Sequence, residues 1–167
     1  VSIATNAIQE LSVVSGTFNA EYGNSLSGIV NTVTKEGGEK YKGMVSFYTG
    51  DYASTRTDKF YKRIAIDPLN SSVTELTLGG PIPGLSQYVR FFLSGRYNYS
   101  KGYLYGIREF NPTDISYFDN PNAWKIKATG DGATVAMNPS RSLNTTAKIT
   151  IRPSGMFKIN YDIILTN

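Results

Sequence analysis

Residues 143–165 read LNTTAKITIRPSGMFKINYDIIL, and their alternation decides the fold class. Leu143, Thr145, Ala147, Ile149 and Ile151 fall on one side of an extended chain. Asn144, Thr146, Lys148, Thr150 and Arg152 fall on the other. Side chains of a strand point alternately to its two faces, so this is a strand with one apolar and one polar face. Pro153-Ser154-Gly155 supplies turn chemistry. Beyond it, Phe157, Ile159, Tyr161, Ile163 and Leu165 alternate with Lys158, Asn160 and Asp162. The whole stretch predicts a β-hairpin.

The same period runs outward through the chain. In residues 88–99, Val89, Phe91, Leu93, Tyr97 and Tyr99 alternate with Arg90, Ser94, Arg96 and Asn98. In residues 41–49, Val45 and Phe47 alternate with Lys42 and Ser46, although Met44 and Tyr48 share the polar side. In residues 72–80, Leu76 and Leu78 alternate with Glu75 and Thr77, and the run GGPIPG at 79–84 then breaks the chain. About five strands result, and their connections alternate in length. Residues 51–71 form a long loop, 80–86 a short link, 106–141 a very long loop and 153–155 a minimal turn. Membrane barrels have short turns on one side and long loops on the other, and their strands need about 9–11 residues to cross. The expected class is therefore mainly β, part of a transmembrane antiparallel β-barrel. Tyr97, Tyr99, Tyr103 and Tyr105 gather at one end of a run from 87 to 105, as an interfacial aromatic girdle would, although Tyr also favours strands in general.

Composition narrows the function classes. The chain has 167 residues, 17 basic and 13 acidic, for a net charge of +4. It has 12 Tyr, 8 Phe and 1 Trp, but no Cys and no His. A disulfide framework, a Cys or His metal site and a Ser-His-Asp triad cannot be built. No window approaches the roughly 18 uninterrupted apolar residues of a transmembrane helix, which does not exclude the membrane, because a barrel strand alternates apolar and polar residues. The positive charges are dispersed, with no basic run or stacking motif for nucleic acid. The chain starts at Val1 and stops at Asn167 straight after an apolar run, as a piece of a longer protein would.

Residues 8–38 read IQELSVVSGTFNAEYGNSLSGIVNTVTKEGG. This resembles the C-terminal end of the plug domain of TonB-dependent outer-membrane receptors. The motif comprises a strand at 8–13, then Gly16, Ala20, Glu21, Tyr22 and Gly23 in a turn and short helix, then a strand at 28–35 with Gly28, Asn31, Thr34 and Lys35. The wording FNAEYG and TKEGG, with LGGPIPG at 78–84 and RFFLSG at 90–95, is most similar to the branch with a carboxypeptidase-regulatory-like N-terminal extension, found mainly in Bacteroidetes. The match is recognisable over about the first hundred residues. The Arg-Gly-Pro-like step common before the helix is replaced by Ser15-Gly16-Thr17. Physically, Gly23 and Gly28 suit tight turns and close packing, and Ala20, Ser25 and Ser27 are small enough for a plug against a wall. Each of these residues is also accounted for by building a compact strand–helix–strand unit.

The resemblance implies residues 1–38 as the C-terminal part of a plug and 39–167 as the first strands of a barrel of about 22 strands. Five strands cannot close, since the smallest membrane barrels have about eight, so the transporter would extend beyond this chain. It implies active import of a peptide, a glycan or a metal complex, driven by a TonB energy-coupling complex acting through a more N-terminal part of the plug. It places the protein in the bacterial outer membrane, in contact with lipid, with a surface lipoprotein as a further possible partner and no cofactor. Lys148, Lys158, Asn160, Asp162, Arg90 and Arg96 would face the plug or a wet lumen. Tyr103, Tyr105, Tyr117, Phe118 and Trp124 are the loop aromatics best able to touch an incoming ligand, if they are not packing the loop itself.

Two other classes compete. A soluble extracellular carbohydrate-binding or adhesion module also has alternating strands and Tyr-rich loops, but leaves residues 1–38 unexplained. A glycosidase would use paired carboxylates, with Glu109, Asp114 and Asp119 available in the long loop. That loop reads as solvated surface, and the expectation is that the protein is not an enzyme.

Overall fold

A computed structural model describes residues 3–15, 28–56, 58–60 and 66–167. The protein is mainly β, with antiparallel sheets. A 3-10 turn, Thr5–Ala7, leads into β1 (Ile8–Val14), which pairs antiparallel with β2 (Ile29–Thr34) in a two-stranded sheet. Ser12 lies opposite Asn31 and Val13 opposite Val30, with a register shift between Ile8 and Glu10. The second sheet has five strands: β3 (Lys42–Gly50), β4 (Ser71–Pro81), β5 (Val89–Ser100), β8 (Ser140–Ser154) and β9 (Phe157–Thr166). Their spatial order follows the chain. A third, two-stranded sheet pairs β6 (Tyr105–Ile107) with β7 (Thr134–Ala136) inside the long link between β5 and β8.

The five strands fall where the period-2 runs place them, and their connections do alternate in length. Three details differ. Tyr105 does not extend β5, which ends at Ser100; positive-φ Gly102 breaks the extended path and Tyr105 opens β6 instead. The strand β4 runs through Gly79 and Gly80 to Pro81, because Ile82 N–H still donates to Val89 O at 3.0 Å. Pro153 and Ser154 belong to β8, not to its turn. A register shift between Ile151 and Ser154 absorbs the proline, and the turn is Gly155-Met156 with Ser154 opposite Phe157.

The chain forms two compact units. One comprises Val1–Tyr48, Val73–Asn98 and Ser142–Asn167, and the other Thr49–Ser72 and Tyr99–Arg141. In the first unit the burial is inverted relative to a water-soluble core. Ser94, Thr146 and Thr150 on the polar face are buried, and Lys148 is only 6% exposed. On the opposite face Val45 is 73% exposed, Phe47 61%, Ile159 57% and Tyr161 63%. Apolar residues cluster there because alternate positions of five neighbouring strands share a face. Covering them would stabilise the sheet by about 25 cal/mol per Å², and nothing among the described residues covers this face.

Candidate functional site

The first site is the polar face of the five-stranded sheet, where residues 3–8 and 34–39 dock. Its centre is the cross-strand pair Lys148 and Asp162, directly opposite each other on β8 and β9. Lys148 Nζ donates to Thr34 Oγ1 at 3.1 Å, and Thr34 Oγ1 donates to Asp162 Oδ1 at 2.9 Å. The Lys148 ammonium also lies 3.7 Å from both the Asp162 and Glu36 carboxylates. Glu36 accepts from Lys158 Nζ at 2.6 Å and from Arg152 Nη2 at 3.5 Å. Partial burial works to raise the Glu36 pKa, but the Lys158 hydrogen bond and the charges of Lys158, Lys148 and Arg152 outweigh it and hold the carboxyl below its ordinary range. One carboxylate thus gathers three cations contributed by β8 and β9.

A second contact lies on β5. Ser94 Oγ donates to Asn6 Oδ1 at 2.9 Å, Asn6 Nδ2 donates to Gly95 O at 3.4 Å, and Arg96 Nη1 donates to Thr5 Oγ1 at 3.1 Å. Lys35 ties the docking segments together: its Nζ donates to Asn6 O at 3.1 Å and its N–H to Ala7 O at 2.8 Å. Glu39 pairs with Arg90 at 3.2 Å, and Glu75 with Arg96 at 3.4 Å. Gly37 presses onto β5 so closely that a methyl group there would collide with the Phe91 carbonyl oxygen. Sequence reading passed over Gly37, Glu36 and Asn6, because nothing local in their neighbours marks a long-range contact.

Of the plug-motif residues, Thr34 and Lys35 sit in this interface. Asn31 is exposed on β2. Gly28 is not a close-packing position: an added methyl would meet only Val14 O, at an ordinary 3.6 Å. Gly16, Ala20, Glu21, Tyr22 and Gly23 lie outside the described residues, as do Ser25 and Ser27.

The loop aromatics divide into separate groups within the second unit. Tyr103 stands edge-on to Tyr52, ring centres 5.9 Å apart, in a cleft of 270 Å³ with Phe60. Tyr105 is a structural residue: its hydroxyl donates at 2.6 Å to Asn70 Oδ1, and the fully buried Asn70 donates through Nδ2 to Gly102 O at 3.0 Å. Phe118 and Trp124 form a T-shaped pair with centres 5.5 Å apart. Tyr117 lines a different cleft with Asp119, Asn120, Ala123 and Lys125. The structure therefore does not gather the five aromatics into one site.

The loop carboxylates are mostly committed to loop structure. Asp114 accepts from the N–H groups of Asn111 and Thr129 and from the Thr129 hydroxyl, which together keep its carboxyl below the usual range. Its side-chain bond to Thr129 is the largest cause. Asp131 accepts from Arg108 Nε at 2.8 Å, and this pairing lowers its pKa to about 2. Asp67 pairs with Lys101 at 2.6 Å. Among the described residues no cluster of three or more His, Cys, Asp or Glu side chains is placed to hold a metal ion.

No protein family, curated protein or solved structure matches the chain.

Proposed function

We propose that this chain is the end of a plug and the adjoining wall strands of a TonB-dependent outer-membrane receptor, in a plugged barrel of about 22 strands. In this reading the whole protein imports a peptide, a glycan or a metal complex, and a TonB energy-coupling complex drives the plug. The observation that carries the reading is the inverted sheet: Lys148, Thr146, Thr150 and Ser94 are buried while Val45, Phe47, Ile159 and Tyr161 are exposed. Lipid on one side and a polar plug on the other meet both demands. A soluble carbohydrate-binding module needs the opposite, with the apolar face turned into a core.

Under this reading, β1, β2 and residues 34–38 belong to the plug, and the ion cluster around Glu36 joins plug to wall. The ion pairs of that cluster can exchange their partners for water in a hydrated lumen, while Phe92, Ala4 and Ala7 add a small buried apolar contact. The links at 51–70 and 101–139 are the outward loops.

The test is extraction and electrophoresis of the native protein containing this chain. The expected result is release from membranes only by detergent, with an unheated species that migrates differently from the boiled one. Substrate uptake should then stop when the inner-membrane proton gradient is dissipated. Release into detergent-free buffer as a soluble species overturns the proposal.

A further inference from the structure

The geometry points to a saccharide-binding site on the loop 117–125, with Tyr117 as the stacking platform and Asp119, Asn120 and Lys125 as hydroxyl partners. It deepens the proposed function by naming a glycan as the ligand class, and it rests on that reading only for placing the loop outside the membrane.

The loop is braced before any ligand arrives. Tyr117 N–H donates to Lys125 O at 2.9 Å, and Lys125 N–H returns the bond to Tyr117 O at 3.1 Å. Inside this bridge, Ala123 N–H donates to Asn120 O at 3.0 Å and Asn122 N–H to Asn120 Oδ1 at 3.0 Å. Strand-like alternation across the bridge separates the side chains into two sets. Phe118 and Trp124 pair edge to face at 5.5 Å and 88°, which fixes the loop through ring packing. Tyr117, Asp119, Asn120, Ala123 and Lys125 together line a cleft of 430 Å³, within the size range of small-ligand sites.

The chemistry of that cleft selects the ligand. Tyr117 is 57% exposed, so one ring is open to solvent beside ionic groups. The electron-rich face of an aromatic ring attracts polarised C–H groups, and a pyranose presents a flat face of such groups. Its rim carries hydroxyls that both donate and accept. A carboxylate accepts from them, while an ammonium and an amide N–H donate to them. Asp119 and Lys125 have no ion-pair partner among the described residues, so both retain capacity for a ligand. Ala123, the smallest lining residue, takes up little of the cleft. A peptide would seek backbone groups to pair with, yet the backbone groups of Tyr117 and Lys125 are already bonded to each other. A bare metal ion would need a cluster of ligating side chains, and the described residues offer none. Bracing of the loop lowers the ordering cost of binding.

The experiment uses the intact protein in detergent, titrated calorimetrically with cellohexaose, maltohexaose, xylohexaose and chitohexaose. At least one should bind. Tyr117→Ala and the isosteric Asp119→Asn should each weaken that binding about tenfold, about 1.4 kcal/mol. The exposed aromatic Phe110, changed to Ala, should leave it unchanged. Absence of binding to every probe overturns the inference, as does equal binding by both variants or displacement only by a tryptic peptide digest. Heat-dependent migration is read on the same sample. A barrel that binds no saccharide refutes the site alone, and a saccharide-binding soluble protein refutes the transporter reading alone.

Discussion

Replacing Glu36 with glutamine removes one negative charge from a point where three cations converge, while keeping the side chain's size. Lys158 and Arg152 are 42% and 44% exposed, so each is a screened pair worth about 0.2–1 kcal/mol. Lys148 is 6% exposed and would keep only Asp162 and Thr34 as partners. A buried cation stripped of its counter-charge loses about 3–5 kcal/mol; with one carboxylate remaining, about 1–2 kcal/mol is the appropriate share. The sum is about 1.4–4 kcal/mol, or roughly tenfold to several hundredfold in an opening equilibrium. The assay is native-state hydrogen exchange of the intact protein, read at the β2 amides and at Lys35. Exchange there should accelerate by that factor, and β8 should change little. The effect should also depend on pH. Glu36 titrates below its ordinary 4.5 in the folded chain, so its contribution is complete above that value and disappears as pH falls below it. As pH falls through the lowered folded-state pKa, the wild type should approach the variant. A change below about threefold at pH 7, or additivity of Glu36→Gln with Lys148→Met in a double-mutant cycle, would show that these groups are not coupled.

Gly37→Ala must displace the Phe91 backbone and should destabilise docking of residues 34–39 by about 1–3 kcal/mol, whereas Gly28→Ala should cost less than about 1 kcal/mol; denaturant midpoints of the two variants give the comparison. Ile163→Lys places a charge on the apolar face of β9, and in a lipid bilayer it should cost about 2–4 kcal/mol in folding titrations into vesicles; a neutral effect would argue for water on that face. Asn70→Ala removes the side-chain bonds to Gly102 and Tyr105 from a fully buried position and should cost about 2–3 kcal/mol, visible as faster proteolysis within residues 101–139.

The strands of the five-stranded sheet were legible because their signal is local. An alternation such as Leu143 to Ile151 needs only neighbouring residues, and a shift of one residue would turn every side chain to the wrong face. Their ends were less so. Pro153 reads as a turn, yet a register irregularity lets it remain in β8. The polar character of Lys148, Lys158 and Asp162 was also readable, but not that Lys148 would be buried against Thr34, some hundred positions away. Gly37 carries no local sign of its contact with Phe91. Gly28, set in a recognisable motif, invited a packing role that its open surroundings do not require. In the long loop, aromatic content marked the region but not its partition. Only the Tyr117–Lys125 bridge assigns Phe118 and Trp124 to one side and Tyr117 to the other.

The small β6–β7 sheet has a kinetic consequence. The β8–β9 hairpin, with its two-residue turn, can zip within microseconds. The β5–β8 pair instead has to bring together ends separated by residues 101–139, and closing a chain of that length costs more entropy than a tight turn. Pairing of Tyr105 with Ala136 and Ile107 with Thr134 draws the two ends of that link together. Once this clasp has formed, the remaining separation is only a few residues on each side. The sheet can then be assembled as two hairpins joined across a loop already closed, and weakening the clasp should slow folding more than it lowers final stability.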